Sequence, residues 1–273
     1  MENSTGGNRI KNVAIKKGTL MINYLIECVV LLFIYLSSMV ALTCYKKDTS
    51  IGNFTWGGGV FLVTLYTFFR MSSFLLQQII VTTFITLWAV RLIAYIYIRY
   101  TGNDPRFITW KRQGIKAFII NIVWIFGQIT MIAIMSYPIL LINMYNNPHV
   151  LSILDILGIA IWLCGYYWEA VSDQQLFNFM HNPSNKGKTL QSGLWRYSRH
   201  PNYFGESVMW IGIYFLALSV PYGWTAFITP FTITFLLRFV TGVPLLENAM
   251  KDNPEYQQYK QKTNTFIPWF TKD

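Results

Sequence analysis

The chain has 273 residues, a formal net charge of +10, 53% hydrophobic residues and only 12% charged ones, with a mean hydropathy of +0.34. Soluble globular domains carry about 25% charged residues, so this composition excludes an ordinary soluble domain and points to an all-α polytopic bundle in a lipid bilayer. The positive charge falls in loops and tails, as in cytoplasmic loops of membrane proteins, and no soluble basic face for nucleic acid is visible.

Residues 1–19 hold Arg9, Lys11, Lys16 and Lys17 among polar residues and read as a mobile N-terminal tail. No cleavable-signal pattern precedes the first apolar run. From there residues 20–273 read as one membrane domain. Its spans are expected near 20–44, 54–70, 73–98, 116–142, 150–172, 205–219 and 222–240, about seven in all. Glu27 lies inside the first run. Three consecutive glycines in IGNFTWGGGV, Gly57 to Gly59, lower helix propensity where the second begins. In the third, Arg91 is far enough inside a span that it should face the bundle interior and find a partner there. Trp88, Tyr95 and Arg99 recur with it at helical spacing.

A basic loop over 99–116 contains the turn signal Asn103-Asp104-Pro105. The fourth span ends at Asn146-Asn147-Pro148. The fifth carries Glu169 and Asp173, four apart and so on one helix face. A helix from 151 to 180 is about 45 Å long, so its last turns should leave the roughly 30 Å hydrocarbon core. A polar loop, HNPSNKGKTLQS (181–192), leads to the densest polar stretch of the chain, GLWRYSRHPNYFGE (193–206). Pro221-Tyr222-Gly223 breaks the last two runs, and Phe266-Ile267-Pro268-Trp269-Phe270 suits a membrane interface. Cys28, Cys44 and Cys164 lie in or beside apolar runs with no CxxC or Cys/His spacing. They read as buried thiols, and no metal site is expected.

With seven spans, the loops after spans one, three and five share a side with the C-terminus and carry nearly all the loop charge. The C-terminus is therefore expected to be cytoplasmic and the N-terminus external, although the basic tail argues the other way. In that topology Arg91, Glu169, Asp173, Glu206, Arg238 and Glu247 all fall toward the cytoplasmic end. One polar cavity would gather them, open to a charged soluble cofactor from below and to a lipid from the bilayer.

The motifs LWAVRL (87–92), NDPRF (103–107), WEAVSDQQL (168–176), GLWRYSRHPNYFGE (193–206), RFVTGVPLLE (238–247) and EYQQYKQKTNTFIPWF (255–270) resemble, in order and spacing, the steroid 5-alpha-reductase superfamily. The likeness is greatest to its subgroup of reductase-like integral membrane proteins. The resemblance implies an NADPH-dependent oxidoreductase that reduces a carbon–carbon double bond of a steroid-like or isoprenoid lipid. By the same resemblance Asp173, Asn202, Glu206, Trp210 and Arg238 contact NADPH, and Arg199 and His200 belong to the wider set of RHPNY-bearing relatives. Glu247 completes the cofactor set, and Arg91, Tyr95 and Tyr203 are the catalytic candidates. The chemistry of those side chains agrees: arginine forks bind phosphate bidentately, amides and acids meet ribose and carboxamide groups, and indoles stack on rings. Glu169 stands where steroid reductases carry an asparagine, Met180 where they carry a basic residue, and Trp88 near their carbonyl-polarising tyrosine.

Two other functions fit parts of the pattern. A methyltransferase using S-adenosylmethionine on a lipid or prenyl group shares Arg-His-Pro, a tyrosine and a glycine, but its second acid after Glu247 is Asn248 here. A lipid-binding protein without catalysis is the third reading. The expected location is an integral membrane one, the endoplasmic reticulum in a eukaryote or the cytoplasmic membrane in a bacterium.

Overall fold

The computed structural model describes residues 3–71, 73–99, 114–145 and 150–271, with side chains from Ile22 onward and without that of Ala117. The Asn103-Asp104-Pro105 and Asn146-Asn147-Pro148 turns lie outside the described residues. Every regular element among them is helical: α1 (Asn3–Lys46), α2 (Thr55–Met71), α3 (Leu76–Ile98), α4 (Ile115–Met144), α5 (Ile153–His181), α6 (Pro201–Ala217), α7 (Ile228–Phe235), α8 (Val243–Ala249) and α9 (Pro254–Lys262). Five segments are long and apolar enough to cross a bilayer: Ile22–Lys46, Leu76–Ile98, Phe118–Met144, Ile153–His181 and Gly223–Ala249. The chain is thus an all-α membrane protein. The stretch expected to be a tail is helical from Asn3 and continues into the first crossing. The run expected at 222–240 is a 3₁₀ turn (Gly223–Phe227), α7 and a π-helical turn (Leu236–Val240) in succession.

The contacts divide the chain into two compact units, Met1–Arg70 with Ala89–Ala133, and Met71–Trp88 with Ile134–Asp273. In the first, α1 buries Tyr24, Cys28, Leu32 and Leu36, spaced four apart, and exposes Ile22, Ile26, Val30 and Ile34. A stripe that apolar and that exposed is stable only where lipid covers it. Gly57, Gly58 and Gly59 meet three different helices: Leu92 of α3, the Tyr35 ring of α1 and Ile132 of α4. The glycines that weaken helix propensity are therefore where side chains of three neighbouring helices lie close against α2.

The second unit is organised by α5 against α6. Gly158 and Gly165 on α5 oppose Gly212 and Gly205 on α6, each pair two turns apart. A Cβ on Gly158 would lie 2.8 Å from the Gly212 carbonyl, and one on Gly212 2.6 Å from the Trp162 amide. Backbone thus lies directly on backbone, which only glycine allows. At one end of the pair, Asp155 is fully buried as part of a capping box with Ser152 at the start of α5. Its other oxygen accepts from Gln77 of α3 and from Ser219, both at 2.8 Å. A carboxyl group so deep is tolerable because each of its oxygens is hydrogen-bonded. Pro138 sits inside α4 and cannot donate to the Ile134 carbonyl. The Thr229 hydroxyl donates to that carbonyl instead, at 2.6 Å, so the helix continues through the proline without an orphaned acceptor.

Candidate functional site

The site is built at the other end of the α5–α6 pair, where the chain enters α6. Gly193 has φ +63°, a left-handed conformation natural to glycine, and it starts a short 3₁₀ turn over Gly193–Arg196. Gln175 of α5 accepts from the Leu194 amide at 2.9 Å, and the Trp195 indole donates to the Ser172 carbonyl at 3.0 Å. The stretch is thereby fastened to α5 beside Asp173.

Its other side is fastened to the C-terminal segment. The Arg199 amide donates to the Asn264 carbonyl at 2.9 Å, and the Trp269 amide donates to the Tyr197 carbonyl at 3.0 Å. Ser198 Oγ donates to the Phe266 carbonyl at 2.8 Å. The Tyr259 hydroxyl donates to the carbonyls of Trp195 and Ser198, and burial pushes this phenol well above its usual range, so it stays a donor.

Arg199 is the centre of this clamp. Its Nε and Nη2 donate to Glu247 Oε1 at 2.9 and 2.7 Å, Nη2 donates to Thr265 Oγ1 at 2.8 Å, and Nη1 donates to the carbonyls of Lys260 and Thr263. A guanidinium has five N–H donors, and all five are engaged within the chain. Glu247 takes a second cation through Oε2, Lys260 Nζ at 2.8 Å. Arg199 and Glu247, both expected at the cofactor, are thus joined to each other and to the C-terminal segment.

The next residue differs. His200 is 3% exposed and stacks on Tyr203, 5.6 Å between centroids and 5° between planes. Its Nε2 lies 3.5 Å from Glu247 Oε1, beyond hydrogen-bond length, and has no hydrogen-bond partner among the described residues. Burial lowers the His200 pKa below the usual histidine value. Arg199 and Arg238 act in the same direction, and Glu247 acts against it. The ring is therefore neutral at pH 7.

Further along α6, Ser207 Oγ and Trp210 Nε1 are also buried without a partner among the described residues. Positions 200, 203, 207 and 210 share one face of the helix. That face ends on Trp88, whose ring meets Trp210 edge to face at 5.4 Å and whose Nε1 is likewise buried and unpartnered. An adjacent face carries Asn202 and Glu206. Asn202 Nδ2 donates to Asp173 Oδ1 at 3.1 Å, and Glu206 is half-buried.

Arg238 lies in the π-helical turn, its guanidinium 5.1 Å from the Phe239 ring centroid. Gly242 follows, with its backbone against the Tyr203 ring, where a Cβ would lie 2.9 Å from it. π-Turns occur mostly at functional positions because the extra residue re-aims the side chains around it.

Of the expected residues, the second unit contains Asp173, Arg199, His200, Asn202, Tyr203, Glu206, Trp210, Arg238 and Glu247. Arg91 and Tyr95 belong to the first unit. There Arg91 is half-buried, and the Tyr95 hydroxyl accepts from Arg99 at 3.0 Å. Gln175, Ser198, Tyr259, Thr263 and Thr265 are structurally essential to the site but were not singled out by the sequence. The EYQQYKQKTNTFIPWF motif contains three of them and was their available signal.

No solved structure matches the chain. Uncharacterized protein C594.04c of Schizosaccharomyces pombe is 24% identical over 218 residues, covering 67% of this chain and 61% of the relative. The chain thus spans about three fifths of the length of that curated relative. Residues 23–263, which include every residue expected at the cofactor and catalytic positions, match the model of a family described as Protein of unknown function (DUF1295). The chain belongs to that family.

Proposed function

We propose that this protein is an integral membrane oxidoreductase that uses NADPH to reduce an activated carbon–carbon double bond in a steroid-like or isoprenoid lipid. The observation that carries the reading is the row of buried polar atoms that make no hydrogen bond among the described residues, on the face running from the α6 cap down the helix: His200 Nε2, Ser207 Oγ and Trp210 Nε1. Native proteins pair nearly all such groups, so a row of them at a motif this dense is suited to a bound polar ligand.

The residues around that face fit a dinucleotide. Asp173 and Asn202 form a joined acceptor and donor pair for ribose hydroxyls or a carboxamide. Arg238 offers a guanidinium for phosphate. Tyr203 and Trp210 provide ring faces, and the neutral His200 supplies Nε2 as a donor or acceptor according to its tautomer. Glu206 adds a second carboxylate on the Asn202 face. Arg199 and Glu247 hold the C-terminal segment against the site, a positioning role rather than a direct contact. When bound, NADPH supplies the hydride. Tyr203 holds a proton on its hydroxyl for the substrate, and the buried helix faces exclude water.

The proposed topology has seven crossings, with α2 and α6 the two short ones, and a cytoplasmic C-terminus. The test is thermal unfolding of the full chain in mild detergent with NADPH, NADH or S-adenosylmethionine. A ligand that binds only the folded state raises stability. Stabilisation by NADPH is expected. A response to S-adenosylmethionine with none to either nicotinamide would replace the reductase with a methyltransferase.

A further inference from the structure

We propose that the groove between α1 and α2 holds one glycerophospholipid, with its phosphate on Arg70 and an acyl chain along Leu62, Leu65 and Phe69. The groove is a shallow, open one with a volume of about 510 Å³, lined by Leu31 of α1 and by Leu62, Leu65, Tyr66, Phe69 and Arg70 of α2. That volume is within the range of about 300–1,000 Å³ typical of small-molecule sites.

The α2 positions follow the spacing i, i+3, i+4, i+7 and i+8, a single helix face. Apolar side chains occupy its inner part, and the charge comes last, in the final turn. Leu62 and Arg70 are eight residues apart, about 12 Å along the axis. An arginine at the end of an apolar helix sits at headgroup depth, so the apolar part of the groove runs inward in the direction an acyl chain takes. The order of chemistry along the groove is that of a lipid.

The charged end is held ready. Glu27 of α1 accepts from the Tyr66 hydroxyl and pairs with Arg70 Nε at 3.5 Å. The Arg70 guanidinium also lies 5.1 Å from the Tyr24 ring centroid. These contacts fix the plane of the fork while 48% of the side chain remains exposed. A fixed, exposed guanidinium suits the bidentate geometry of a phosphate. Glu27 balances the charge, so a singly anionic phosphate beside it suits the site better than a doubly anionic one.

The experiment uses the full chain purified in detergent, followed by native mass spectrometry and thermal unfolding. The probes are dioleoyl phosphatidylglycerol, dioleoylglycerol with the same chains but no phosphate, and glycerol 3-phosphate with no chains. One phospholipid should be retained per chain and should raise the unfolding midpoint, and neither partial probe should do so. Arg70→Gln combined with Glu27→Gln removes both charges together and should weaken phospholipid retention about tenfold, or about 1.4 kcal/mol. If that variant does not fold, Leu65→Phe fills the groove, keeps the ion pair and should give the same loss. Equal stabilisation by dioleoylglycerol, or undiminished retention in a folded variant, would overturn the proposal.

Discussion

Arg199 and His200 are neighbours in the chain and both are buried, yet their side chains are in opposite states. The arginine donates through all five N–H groups to Glu247, Thr265 and two carbonyls. The histidine has a ring nitrogen that makes no hydrogen bond among the described residues and only a 3.5 Å contact with Glu247, and two more atoms without a hydrogen bond lie along the helix it starts. Saturated groups hold a fold, and orphaned ones await something. One short motif therefore contains a fastening and an opening side by side, and substitutions on each side should separate stability from ligand response.

The largest effect is expected on the fastened side. Arg199→Leu leaves Glu247 with Lys260 as its remaining cation and strips two carbonyls of their donor. Removing one partner of a buried pair costs about 3–5 kcal/mol, enough to unfold a marginal protein. The unfolding midpoint should drop sharply, and size-exclusion chromatography should show loss of the folded peak. Arg199→Lys keeps the charge but not the fork, so it should fall between wild type and Arg199→Leu. Equal midpoints for all three would remove the clamp from the account.

Next comes the backbone contact that brings Asp173 to Asn202. Gly205→Ala places a methyl group 2.5 Å from the Glu169 amide nitrogen, where no side chain can move aside. Overpacking of this kind costs about 1–3 kcal/mol. The same substitution should also weaken any NADPH stabilisation, because it parts the helices that carry the site. Unfolding with and without nucleotide measures both.

These two expectations differ in how much the sequence disclosed. Long apolar runs, whose length the bilayer dictates, place α1, α3, α4 and α5 directly, and Pro221-Tyr222-Gly223 marks the break, where Tyr222 adopts φ +62°. The RHPNY stretch was visible as a polar concentration. The role of Arg199 was not, because its partners are 48 to 66 residues away and only folding brings them near. The π-turn at Arg238 was equally hidden, since no local residue pattern sets it apart from an ordinary helical turn. The seven-residue spacing of Gly158 with Gly165 and of Gly205 with Gly212 was present in the sequence. It becomes legible only when the two helices are known to pair.

On the open side the expected effect is a slope rather than a loss. His200 has its pKa lowered chiefly by burial, so the unfolded chain takes up a proton at this residue at higher pH than the folded chain. Stability from the neutral ring is complete above the ordinary histidine pKa of about 6.5. It is lost as pH falls from there through the lower folded value. Thermal unfolding in detergent between pH 8 and pH 5 should show a midpoint that declines toward acid. His200→Gln should flatten this decline and abolish stabilisation by NADPH. A slope unchanged by the substitution would assign the acid sensitivity elsewhere.

The smallest effect on stability, and the sharpest separation of the two sides, is expected from Trp210→Phe. The indole N–H is buried without an acceptor among the described residues, and such a group destabilises the ligand-free protein by the cost of its lost hydration. Phenylalanine removes that N–H and retains an aromatic ring to meet Trp88, although its smaller volume leaves a gap that offsets part of the gain. The unfolding midpoint without ligand should therefore change little. If the N–H is an attachment point for NADPH, the ligand-induced rise should shrink while the ligand-free midpoint stays in place. A fall in the ligand-free midpoint with the NADPH response intact would instead make Trp210 a packing residue, and His200 and Ser207 would be left to define the open side.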